Sequence, residues 1–271
     1  MLAAATLMHA QQPAFNRNAV VLDPAHGGPD SGARITDSLS EKQLTLAIAA
    51  RIKPLLTAAG FTVLTTRDTD PADVLSPDQR AGTANHSRAL ACLLLHATPS
   101  GSGVHLFTSS LAATDAAPDA PLPWDSAQSA YIPLSLRLAN ELGVSLLHAT
   151  IPPLLGHASI RPIDNLTCPA VALELAPLNP QTPLSDATYQ QHTAQAIADA
   201  LISWRNHAAP VATPAAKPIT PPAAKPATPA PAATPTPTPT KDEPAKPTTP
   251  PAATTPPAAT TPDPPAAGAP R

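Results

Sequence analysis

Ala89 to Leu95 reads ALACLLL, an apolar run without a polar interruption that ends at His96. A run of this length suits a strand covered on both faces, because a strand with one wet face alternates apolar and polar residues instead. Shorter runs of strand length stand around it: Val20 to Leu22, Phe61 to Thr65, Val104 to Phe107 and Ala170 to Leu175. Helical patterns lie between most of them. Leu44, Ile48, Ile52 and Leu55 recur at helical spacing from Glu41 onward, Gly60 stands where that helix stops, and Pro54 is expected to kink its last turn. Ser76, Pro77 and Gln79 make a helix start that carries the chain to Asn85, and two further helices are predicted at Ala127 to Leu147 and Ala187 to Asn206. This order of strands and helices predicts right-handed crossovers and an α/β single domain, with a mostly parallel central sheet flanked by helices on both faces. Val104 to Phe107 follows the buried run after a Gly and Ser loop too short for a helical crossover, so it is expected to pair antiparallel.

Composition divides the chain. Of 39 prolines in 271 residues, more than half fall after Ala208, and the stretch 208–271 is built almost wholly from Ala, Pro and Thr with a few Lys. It has too little apolar surface to offset the entropy of ordering, so it reads as a disordered, partly polyproline-like tail behind a folded domain at 19–207. Residues 1–18 read as an export-signal remnant or an N-terminal extension: Leu2 to Ala10 (LAAATLMHA) is small and apolar with a plausible cleavage point after Ala10, although no basic segment precedes it. A net charge of -3 with scattered Lys and Arg argues against a nucleic-acid partner. No run is long and apolar enough to span a bilayer. Cys92 and Cys168 lie far apart, each in or beside an apolar run, and read as buried small hydrophobes rather than a disulfide. On that reading the cysteines leave the compartment open.

In sheets of this kind the site lies beyond the carboxyl ends of the strands. His26 after VVLDPA, His96 after the buried run and Glu174 inside VALEL all fall there. A carboxylate inside an apolar strand is costly unless it is paired or bound to a metal. Each residue also has a plainer explanation: His26 as decoration of the Gly27-Gly28 turn, His96 as a hydrogen-bonded residue at a strand end. For Glu41, Ser38-Leu39-Ser40-Glu41 fits a capping box in which the glutamate reaches back to the helix start.

Val20 to Gly32 (VVLDPAHGGPDSG) resembles the opening motif of the zinc-dependent N-acetylmuramoyl-L-alanine amidases of type 3. The resemblance continues in order through Glu41-Lys42, Thr66-Arg67-Asp68 with Asp70, Arg80 and Asn85, LLLHA at 93–97 and VALEL at 171–175. It covers roughly 19–206. Carried over position by position, it implies that His26, Glu41 and His96 hold one Zn2+ and that Glu174 is the catalytic carboxylate. Two imidazoles and one carboxylate leave a fourth position for water, as in catalytic rather than structural zinc sites. The implied reaction is hydrolysis of the amide between N-acetylmuramic acid and L-alanine of peptidoglycan, releasing stem peptides. The implied location is the periplasm or cell envelope, for a monomer with a possible envelope partner through its tail. Arg67 and Arg161 are candidate substrate contacts by the same resemblance, Arg161 with an ordinary solvated loop cation as its alternative.

The chain departs from the family pattern at Ala25, Thr98 and Ala176-Pro177. None of these removes a proposed ligand. Ala25 would stiffen the turn that presents His26 if the backbone there needs positive φ, and Pro177 reshapes the floor beside Glu174. By the same resemblance, the segment from Ser110 to Trp124 occupies the place where some members of the family carry a helix that blocks the zinc; here it is short and proline-broken, so no such inhibitory helix is expected. The rival functions are a peptidoglycan-binding or regulatory module that has lost turnover, a zinc peptidase acting within the stem peptide, and an envelope tether acting through the tail.

Overall fold

The computed structural model describes residues 15–114 and 122–207. The tail 208–271, the N-terminal stretch up to residue 14 and the middle of the Ser110 to Trp124 segment lie outside these described residues, and with them the expectations of disorder, of an export signal and of the missing inhibitory helix. The chain runs β1 (Asn16–Pro24), α1 (Glu41–Ala58), β2 (Thr62–Thr65), α2 (Pro77–Ser87), β3 (Ala89–Ala97), β4 (Val104–Ser109), α3 (Ile132–His148), β5 (Pro153–Ala158), β6 (Ala170–Leu175) and α4 (Ala187–His207). The sheet has six strands in the order β2-β1-β3-β6-β4-β5. β2, β1, β3 and β6 run parallel, as the alternation of strands and helices requires. β1 begins at Asn16, ahead of the Ala19 boundary drawn from the sequence.

The apolar run forms β3, at the centre of the sheet, and is buried on both sides. Its odd-numbered residues Leu93 and Leu95 join Val20, Leu22, Val171 and Leu173 in a core covered by Leu44, Ile48 and Ile52 of α1, Leu138 and Leu142 of α3, and Ile197 and Leu201 of α4. Cys92 and Leu94 face the other way, with Val21, Ala170 and Ala172, under Ala81 and Ala84 of α2 and Ile163 and Leu166 of the segment before β6. Among the described residues, α-helices thus lie on both faces, α1, α3 and α4 on one and α2 on the other. No helix among the described residues is long and apolar enough to cross a membrane.

Several local expectations are corrected. Cys92 and Cys168 are joined in a disulfide, not separate buried thiols. They lie 76 residues apart in sequence, but Cys92 stands within β3 opposite Ala170, the first residue of the neighbouring β6, and Cys168 lies two residues before it, so proximity comes from topology that chain spacing does not reveal. β4 is antiparallel, but to β6 rather than to the preceding β3, because β6 inserts between them. β5 escaped the sequence reading altogether. It is an edge strand that begins at Pro153, contains Gly156 and leaves Leu154 and Leu155 exposed, so it carries neither alternation nor a continuous apolar run.

The predicted helix Ala127 to Leu147 divides at Tyr131 into a 3-10 segment, Trp124–Ala130, and α3. α1 continues through Pro54 to Ala58. Pro54 sits on the exposed side, where the carbonyl of Ala50 it leaves unbonded is also exposed to water. At its start, Ser40 is the N-cap, and its backbone N–H donates to the Gln43 side chain at 2.9 Å. The capping box therefore uses Gln43, and Glu41 is free of that duty.

Candidate metal centre

β1 delivers its chain to the carboxyl edge of the sheet and ends in the turn that carries His26. His26 has φ 63°, whereas Ala25, where a positive φ was considered, does not. Left-handed backbone costs a residue with a Cβ about 1 kcal/mol, so the surroundings must hold it. Arg80 of α2 donates to the His26 carbonyl at 2.7 Å and to that of Pro24 at 2.9 Å, and pairs with buried Asp23 at 2.6 Å. Arg67 donates to the carbonyls of Pro24, Ala25 and Lys42 at 2.9, 2.9 and 2.7 Å. Two buried guanidinium groups thus fasten the turn from below.

The His26 ring reaches two carboxylates. Nδ1 lies 2.8 Å from Asp30 and Nε2 lies 3.0 Å from Glu41. Glu41 is 5% exposed and uses both oxygens: one accepts from the Ala33 N–H at 2.9 Å, the other from the Ala97 N–H at 3.0 Å and lies 3.1 Å from His96 Nδ1. Burial pushes the Glu41 carboxyl upward, but hydrogen bonds from His26, His96 and the two backbone amides outweigh it and hold the group well below the usual carboxylate range. The Glu41 carboxylate, backed by Asp30, raises the His26 pKa against the opposing effect of burial.

His96 comes from the carboxyl end of β3. Its register partner is Glu174 on β6, and the register partner of Glu174 on β4 is His105. The three stand in one row across neighbouring strands, on the sheet face that α2 covers only in part. Ligand atoms of His26, Glu41 and His96 all lie within 4.8 Å of one another. Donors about 2.1 Å from a tetrahedral zinc stand about 3.4 Å apart, so this donor set fits the ion with a small closure. Gly32 supplies the room, since a Cβ there would lie 2.5 Å from His26 Cδ2 and 2.6 Å from Glu41 Oε2.

The structure therefore brings His26, Glu41 and His96 together and sets Glu174 beside them. It does not bring Arg67 to the cluster: the residue is 6% exposed, and its bonds go to three backbone carbonyls and the Thr45 hydroxyl. Arg161 is exposed, on the segment whose neighbours Ile160 and Ile163 pack over the Glu174 face. Sequence reasoning missed Asp30 and His105. Asp30 stood inside the quoted motif, where its spacing of four from His26 across a glycine turn could have flagged it. His105 gave no signal before its strand partner was known.

A family model described as N-acetylmuramoyl-L-alanine amidase matches residues 20–203. The germination-specific N-acetylmuramoyl-L-alanine amidase of Bacillus subtilis (strain 168) is 42% identical over 72 residues, which cover 27% of this chain and 28% of that protein. The N-acetylmuramoyl-L-alanine amidase AmiC of Neisseria meningitidis serogroup B is 36% identical over 116 residues, covering 39% of this chain and 27% of that protein. These matches span less than a third of either relative. The catalytic domain of CwlV, an N-acetylmuramoyl-L-alanine amidase from Bacillus (Paenibacillus) polymyxa var. colistinus, superposes with TM-score 0.55 at 26% identity, covering 70% of this chain and 98% of that domain. With the family model matching most of the chain, and the motif residues gathered at one edge of the expected sheet, the protein belongs to the N-acetylmuramoyl-L-alanine amidase family.

Proposed function

We propose that the chain hydrolyses the amide bond between N-acetylmuramic acid and L-alanine in peptidoglycan, using one Zn2+ held by His26, Glu41 and His96, with Glu174 as the catalytic carboxylate. The observation that carries the reading is the buried Glu41 carboxylate lying between two imidazoles, with a second carboxylate on the next strand. A stable core needs no such grouping, and the three side chains offer ligand atoms within 4.8 Å of one another, the donor set of a catalytic zinc site. A zinc ion there supplies a Lewis acid for the scissile carbonyl and makes water a stronger acid.

The chain's own residues do the rest. With zinc bound, Asp30 would accept the Nδ1 proton of His26, leaving the Nε2 lone pair for the ion. The Ala33 and Ala97 amides fix the Glu41 carboxylate. Glu174, partly exposed, takes a proton from the attacking water as its oxygen bonds to the lactyl carbonyl carbon, and passes it to the L-alanine nitrogen as the carbon–nitrogen bond breaks. Arg67 contributes by holding the turn under His26, and exposed Arg161 offers a cation to acidic groups of the substrate. The buried disulfide supports action outside the cytoplasm, where such bonds persist.

Mass analysis of digested peptidoglycan tests the reading. The expected products are intact stem peptides with a free L-alanine amine, absent after treatment with Glu174→Ala. Cuts inside the stem would instead identify a peptidase, and no product from zinc-loaded wild type would identify a binding module.

A further inference from the structure

We infer that His105 is a positioning residue for Glu174, fixing the carboxylate in the orientation from which it exchanges protons. This rests on the catalytic role proposed for Glu174. His105 Nδ1 lies 2.9 Å from Glu174 Oε2, and the two residues are direct register partners on the antiparallel strands β4 and β6. A carboxylate can only accept, so Nδ1 carries the hydrogen of this bond. The bond holds Oε2 on the β4 side, while Oε1 has no hydrogen-bond partner among the described residues. A glutamate has three rotatable torsions, and freezing them removes the conformational entropy that a loose base would lose at every turnover.

The imidazole is itself held. Its side chain is 15% exposed, against 35% for Glu174. Phe107, two residues along β4, meets the ring edge-on at 82°, with centroids 6.4 Å apart. The loop before β4 closes over the ring at Gly101, where a Cβ would lie 2.9 Å from His105 Cε1 and 3.1 Å from Nε2. That loop therefore leaves the ring little room to turn. His105 also lies outside the metal cluster, and its side-chain hydrogen bond goes to Glu174.

The test compares steady-state kinetics of zinc-loaded wild type with those of His105→Ala, His105→Asn, Glu174→Gln and the double variant His105→Ala/Glu174→Gln. Misplacing a reacting group by about 1 Å costs on the order of a hundredfold in rate. His105→Ala is expected to lower kcat by about tenfold to a hundredfold with KM nearly unchanged, the pattern of an interaction that matters only in the transition state. Asn places a side-chain N–H near the position of Nδ1, so His105→Asn recovers most of the loss. Zinc content and thermal midpoint stay at the wild-type level in both, and the double variant is no slower than Glu174→Gln. Wild-type kcat in His105→Ala, a loss that Asn does not rescue, or a loss that follows zinc content overturns the inference. Should Glu174→Gln itself turn over normally, the proposed function fails instead, which separates the two failures.

Discussion

His26 holds a left-handed backbone conformation under a bond from Arg80 to its carbonyl and with Gly32 close to its ring, a strained turn that fits the metal-binding role proposed for it. The first prediction concerns the room that Gly32 provides. Gly32→Ala drives a methyl into His26 and Glu41 and adds positive-φ strain, so zinc affinity is expected to fall at least about tenfold, the scale on which displaced ligands and their supports are felt. Gly82→Ala, in α2 with nothing within 4 Å of the added Cβ, keeps its zinc and gains up to about 1 kcal/mol of stability. Equal zinc binding by the two variants would contradict the packing argument. Arg67 supports a second prediction. Arg67→Lys loses the forked reach to the carbonyls of Pro24, Ala25 and Lys42, so the denaturation midpoint drops by the equivalent of about 2 kcal/mol while KM is unchanged. A raised KM at wild-type stability would return Arg67 to the substrate.

At the scale of elements, Tyr189 shows how α4 is tied to the site end of the sheet. Its hydroxyl donates to the Ala176 carbonyl just after β6 at 2.9 Å, and lies 3.3 Å from the Gly103 carbonyl just before β4. Burial pushes the Tyr189 hydroxyl up to about 12 and also raises that of Tyr131. The chain has only two tyrosines. Native protein is therefore expected to show little tyrosinate absorbance at pH 10, where the unfolded chain is half ionised. A folded pKa above the unfolded one contributes stability that is complete below about pH 10 and is lost as pH rises toward about 12. Half-titration of the native protein at pH 10 would show that these hydroxyls are wet. The elements that carry the site were legible in the sequence because each combines a strand-length apolar run with a polar residue at its carboxyl end: Leu22 before His26, Leu95 before His96, Leu173 before Glu174. β5 was not, since an edge strand paired on one side needs no apolar pattern. The roles of His105 and of the disulfide depend on β6 lying between β3 and β4, a fact of strand order that local spacing does not encode.

Across the whole molecule, the Cys92–Cys168 bond ties the interior of β3 to the residues just before β6, the strands that carry His96 and Glu174 toward their carboxyl ends. Closing a loop with a sequence separation of 76 residues restricts the unfolded chain by about 4 kcal/mol in the chain-entropy description. Replacing both cysteines by alanine is expected to lower the thermal midpoint markedly, and denatured, unreduced protein should contain no free thiol. Two titratable thiols would instead restore the cysteines to separate core residues. The central claim, that three side chains from the turn after β1, from α1 and from β3 converge on one divalent ion while Glu174 stands apart from its binding, is tested most directly by measuring zinc per chain after dialysis. The account predicts about one zinc in wild type and in Glu174→Ala, and little in Glu41→Ala. Wild-type zinc retained by Glu41→Ala, or lost from Glu174→Ala, would contradict it.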